Sequence, residues 1–206
     1  MFLLSSALCL GFLHGLGADH LMAIAALSMD GDLGDRSAAR RRARALAVAF
    51  RFAAGHALLL GVGASLIVLI GWSIPAHVER GGEMLGGALL IVMGVVTLQH
   101  LYAHRAHRSP SHSHVPTMIG AAFAVSSLRA LAMLTPFGAG LGTAPLSVLL
   151  ALIAVFAVGI LVSMSLFGVA LAGVLSTRAL ARVGQGAGAL VGVSSVLLGV
   201  AWVVTA

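Results

Sequence analysis

The sequence predicts an all-α membrane protein with six transmembrane helices, on three observations. Of its 206 residues 60% are hydrophobic and only 9% charged, and the mean hydropathy is +1.08, whereas soluble domains carry about 25% charged residues. The apolar residues fall into runs long enough to cross a bilayer, which takes roughly 20 residues per helix, so the length allows about six spans. The positive charge, a net +6 from arginines with no lysine, collects in alternate gaps between those runs, as cytoplasmic loops do.

The first apolar run, Phe2 to Met29, would be about 40 Å long as one helix, more than the roughly 30 Å hydrocarbon core. It must tilt, protrude or break. Gly15 and Gly17 mark the place for a break, because glycine weakens a helix and admits neighbouring backbone. The run starts without a basic segment, and Leu8 before the single cysteine, Cys9, is too bulky for a lipoprotein-type cleavage site. It therefore reads as a retained helix. A lone cysteine also excludes an internal disulfide.

The gap DGDLGDRSAARRRAR holds Arg36, Arg40, Arg41, Arg42 and Arg44 and is the strongest cytoplasmic marker, which puts the N-terminus outside. The second span is expected at about Ala45 to Trp72. Arg51 lies near enough to its inner end to act as an interfacial anchor, while His56 lies deeper. SIPAHVERGG suits an external turn, and the third span follows at about Glu83 to Leu101.

Next comes a histidine-rich segment with Arg105, Arg108, His100, His104, His107, His112 and His114. Clustered imidazoles could collect metal on the cytoplasmic side, or the segment could be a solvated basic linker. The fourth span, about Thr117 to Phe137, contains Arg129 beside Ser126 and Ser127. The fifth runs from about Leu146 to Leu175, and the sixth from about Val183 to Val204. With Arg178 and Arg182, the inner gaps hold nine arginines and the outer ones only Arg80. The expected topology is thus multi-pass in the cytoplasmic (inner) membrane with both termini outside.

The chain reads as one transmembrane domain, 1–206: a three-helix half at 1–101, the loop at 102–116 and a second half at 117–206. Two halves of three helices would be inverted repeats meeting around a mid-depth site. Phe12 to Met22 can be laid on Phe123 to Met133, and Gly55-His56-Ala57-Leu58 on Gly168-Val169-Ala170-Leu171. The third and sixth spans carry glycine rows at Gly82, Gly86, Gly94 and Gly184, Gly188, Gly192.

Ionisable side chains inside a membrane cost free energy and usually face a partner or a pathway. His14, Asp19 and His20 lie in the first span and His56 in the second. On a regular helix Asp19 and His20 would sit about 140° and 240° around from His14. An unwound segment at Gly15 to Gly17 removes that obstacle and lets the three meet. Imidazoles with one carboxylate suit nickel, cobalt, copper or zinc. The plainer reading is polar groups hydrogen-bonded between helices.

His14-x-x-x-x-Asp19-His20 followed by Leu-Met-Ala-Ile-Ala, then Gly55-His56-Ala57 on the next span, resembles the nickel/cobalt transporter family, within the wider lysine-exporter-type superfamily. The resemblance covers mainly the first 70 residues. It implies metal recognition by His14, Asp19, His20 and His56, with nickel or cobalt as the transported ion and no resident cofactor. Where that family carries a further acid in the signature this chain has Gly17, and Ala25 and Ala26 follow where the family has acids or amides.

Arg129, deep in its span, is expected to act with Ser126 and Ser127 in the transport pathway or its gating, pairing with Asp19 when no cation is bound. The alternative is an anion carrier, for sulfite or an organic anion, built around Arg129. A further alternative is an accessory membrane protein for metalloenzyme maturation. The expected partners are the bilayer and a divalent metal ion, with no nucleic acid; an oligomer or a partner subunit stays open. There is no P-loop lysine and no His-Glu-x-x-His pair, so neither nucleotide-driven transport nor a zinc protease is expected, and no catalytic residue is assigned.

Overall fold

The computed structural model describes residues 2–29, 38–70, 74–102, 114–127, 145–175 and 178–205. Every element among them is a helix: α1 (Phe2–Gly15), α2 (Ala18–Met29), α3 (Ala38–Ile70), α4 (Ala76–Tyr102), α5 (Val115–Ser126), α6 (Leu146–Leu175) and α7 (Arg178–Thr205). Four of these, α3, α4, α6 and α7, are long and apolar enough to cross a membrane, and α1 with α2 form a pair bent by 52°. Large apolar side chains such as Phe50, Leu58, Leu66, Leu166 and Leu190 are exposed on the outer faces, as lipid-facing positions are.

The first apolar run breaks where its glycines stand. α1 tightens at its end, the Leu16 amide donating to the Leu13 carbonyl (3.2 Å) and the Gly17 amide to His14 (2.9 Å); α2 then starts from the Gly17 carbonyl, which accepts from Leu21 (3.1 Å). Asp19 lies in the first turn of α2, where a carboxylate is favoured by the helix dipole.

Three boundaries differ from the sequence expectation. α3 starts at Ala38, so Arg40, Arg42 and Arg44 stand on its first turns instead of in a loop. α4 starts at Ala76 and not near Glu83, because Pro75 cannot continue a helix backwards but can open one. Its carbonyl accepts from the amides of Val78 and Glu79. In the fourth expected span, described helix ends at Ser126; Arg129 and Pro136 lie outside the described residues, as do His104, His107 and His112. His114 is exposed, just ahead of α5.

Packing relies on small residues, the usual means by which membrane helices approach closely. A Cβ on Gly11 would strike the carbonyl of Phe156, and one on Gly159 the carbonyl of Leu8, so α1 and α6 are in backbone contact. The same arrangement joins α5 to α3: a Cβ on Gly120 would strike the Phe52 carbonyl, and one on Gly55 the carbonyl of Thr117. These contacts match Leu8 and Gly11 with Thr117 and Gly120, and Phe156 and Gly159 with Phe52 and Gly55. α4 and α7 meet through Gly94 against Gly192 and Gly87 against Gly199. The centre is filled by Ile24, Phe52, Leu90, Phe123, Phe156, Ile160 and Met164, all nearly inaccessible.

Candidate metal centre

Three imidazoles come together at the break. His14 is the last-turn residue of α1, His20 stands in the first turn of α2, and His56 lies midway along α3. One ring nitrogen from each lies within 4.8 Å of the others, with ring centroids 4.6 Å apart for His20 and His56 and 4.9 Å for His14 and His20. His56 is completely buried, His20 nearly so, and His14 half-buried. An ion held at about 2.0–2.1 Å by each of three nitrogens sets them roughly 3.3–3.6 Å apart in tetrahedral or trigonal geometry. A pair as wide as 4.8 Å would therefore have to close by about 1.2–1.5 Å.

Hydrogen bonding fixes which nitrogens face inward. His56 Nδ1 lies 3.2 Å from the Gly120 carbonyl oxygen; a carbonyl only accepts, so Nδ1 carries the proton. Nε2 is then left with its lone pair, and it has no partner. This is the second-sphere arrangement that orients a metal-binding histidine. His20 Nε2 makes a long contact, 3.4 Å, with Ser127 Oγ, whose proton goes to the Phe123 carbonyl at 3.1 Å. His14 Nε2 and His20 Nδ1 are also buried without hydrogen bonds. Buried polar atoms are nearly always hydrogen-bonded, so His14 Nε2 and His56 Nε2, which have no partner, and His20 Nδ1, which has only the neighbouring Asp19 carboxylate, leave room for a ligand.

Asp19 stands beside the triangle and is not one of its corners. Its Oδ1 lies 3.1 Å from His20 Nδ1, and its buried Oδ2 has no partner. Gly17 explains this crowding: a Cβ there would come within 2.6 Å of Asp19 Oδ1 and 2.8 Å of His20 Nδ1. A side chain at position 17 would therefore push Asp19 and His20 out of their present positions.

A cavity of about 410 Å³ leads to the site, lined by Leu13, His14, Gly17, Asp19, His20, Glu83, Ser126, Ser127, Trp202 and Thr205. Leu13 and Thr205 are exposed, so the cavity reaches the surface at the end where α4 begins and α7 finishes. His56 lies behind His14 and His20. Ser127 touches His20, while Ser126 gives its hydroxyl proton to Phe123 (2.7 Å) and only lines the cavity. Two positions went unforeseen. Glu83 was read as an acid near an outer turn, and Gly120 carried no mark beyond being one glycine among 26.

No family model, curated protein or solved structure matches this chain.

Proposed function

We propose that this chain is a secondary transporter that carries a divalent transition-metal ion, nickel or cobalt, across the cytoplasmic membrane by alternating access. One observation carries the reading: a ring nitrogen from each of His14, His20 and His56, on α1, α2 and α3, lies within 4.8 Å of the others beside a cavity. Neutral imidazoles backed by one carboxylate suit late first-row divalent ions. The resemblance of the His14 to His20 signature and of Gly55-His56 to the nickel/cobalt transporters points the same way.

A hydrated ion enters the cavity, exchanges water for the nitrogens of His14, His20 and His56, and is balanced by Asp19. Behind the site Phe52, Phe123, Phe156 and Ile160 block further movement, so release on the other side requires the helices to re-pack. Two inverted three-helix halves would supply that motion by rocking. The matched glycine contacts of α1 with α6 and α5 with α3 support such a repeat. In this scheme α1 and α2 are one broken span, and α5 with the residues after it is another, giving six. The arginine distribution supports both termini outside, with the cavity facing outward. No step calls for enzymatic chemistry.

An anion carrier would want positive groups in the cavity; among the described residues the charged side chains that line it are Asp19 and Glu83, while Arg129 lies outside the described residues. The test is flux into vesicles reconstituted with the chain, comparing nickel, cobalt, zinc, manganese and sulfite. Nickel or cobalt flux that His14→Ala abolishes is the expected result; sulfite flux without metal flux would overturn the proposal.

A further inference from the structure

We propose that the ion leaves the histidine site along the seam of α2, α4 and α7, and that Ser195 is the first hydroxyl to receive it there, with Thr97 and Ser28 further in. This rests on the metal-transport reading of the histidine site. Among the described residues, the buried hydroxyls of Ser28, Thr97, Ser126, Ser127 and Ser163 each donate to a carbonyl three or four residues back in the chain. Ser195 is the exception. It is completely buried, and its Oγ has no hydrogen-bond partner. An unpaired hydroxyl in a protein interior costs free energy, and the water shell of a passing cation supplies the partner it lacks.

Position gives the hydroxyl its role. Ser195 stands seven residues before Trp202, which lines the cavity, and so lies on the same face of α7 about 10 Å deeper. Val191 and Leu198, one turn to either side of it, pack on the central core. The close approaches of Gly94 to Gly192 and of Gly87 to Gly199 set Ser195 level with Leu90 and Gly94 of α4, and α2 packs against both helices. On α4, Leu90 and Thr97 follow the cavity-lining Glu83 at intervals of seven residues; on α2, Ile24 and Ser28 follow His20 at intervals of four. Such intervals keep each set on one side of its helix. Hydroxyls from three neighbouring helices thus stand below the cavity, on the cytoplasmic side in the proposed topology. Ile24 and Leu90, both inaccessible, come between and close the route in the present state. Separation of α2 from α4 and α7 opens it, and a path lined by hydroxyls lets a cation pass with its water.

The test compares Ni²⁺ flux into vesicles holding the full chain with Ni²⁺ affinity and thermal unfolding of the same chain in detergent. Ser195→Ala should lower the maximal flux about 2- to 10-fold, the scale of one hydrogen bond, and leave the affinity unchanged. Its unfolding midpoint should stay or rise, because an unpaired buried hydroxyl has been removed. Unchanged maximal flux, or an affinity that falls in step with the flux, would overturn the path. A second variant covers the case of a poorly folded first one: in a Cys9→Ala background, Ser195→Cys is exposed to a membrane-impermeant methanethiosulfonate. Labelling should rise when Ni²⁺ is supplied, since the seam opens during transport; labelling that does not rise would overturn the proposal. Absence of Ni²⁺ flux in the unaltered chain would overturn the transporter reading itself, and the path with it.

Discussion

The Gly120 carbonyl oxygen lies 3.2 Å from Nδ1 of His56, and that contact turns the free Nε2 of His56 toward His14 and His20. It can form because Gly120 lets α5 pack against the backbone of α3 at Phe52. One glycine therefore serves both the helix crossing and the orientation of a ligand.

Replacing any one of the three histidines should weaken metal binding severely. His14→Ala, His20→Ala and His56→Ala are each expected to lower Ni²⁺ affinity by at least about 100-fold, because each removes a coordinating nitrogen. Calorimetric titration of the purified chain checks this, with circular dichroism confirming that the helices persist.

Ser127→Ala should have a smaller effect of the same sign. It removes the group that His20 Nε2 contacts and leaves the coordinating nitrogens in place. Losses of about 10- to 100-fold in affinity are usual when such an outer partner is removed. Ser126→Ala should bind nearly as the unaltered chain does, since Ser126 bonds only to the Phe123 carbonyl.

Gly17→Ala should spoil the site without unfolding the protein. The new methyl would displace the tips of Asp19 and His20, which are side chains able to move, while the backbone break stays. Thermal unfolding in detergent should be nearly unchanged, and Ni²⁺ affinity should fall at least about tenfold, the scale seen for disturbed ligand orientation.

Gly120→Ala should do the reverse in order of severity, since its methyl meets the backbone carbonyl of Phe52, which cannot step aside. Overpacking of this kind costs about 1–3 kcal/mol, visible as a lower unfolding midpoint, and the binding of metal by His56 should suffer with it. Gly63→Ala is the control. Nothing lies near its Cβ position, so it should be neutral or slightly stabilising.

The helices and the break were legible because their causes are local. Composition and apolar run length give the four long helices, and Gly15 and Gly17 give the bend. The meeting of His14 with His20 follows from that bend, and His56 was read as a partner from its depth in the next span. What was not legible depends on which helices touch. Glu83 reaches the cavity only because Gly82 and Gly86 admit Ser126 and Trp202, and Gly120 matters only because α5 crosses α3 at Phe52. Asp19 falls outside the triangle of nitrogens because its neighbour His20 takes the inward position, a choice that helical spacing alone does not make.

The central claim is that His14, His20 and His56 together hold one ion, and X-ray absorption at the nickel edge of the Ni²⁺-loaded chain tests it most directly. The account predicts a first shell at about 2.0–2.1 Å, with the multiple-scattering pattern of imidazole rings that weakens in His56→Ala. A shell of oxygen donors without an imidazole pattern, unchanged by His56→Ala, would contradict it.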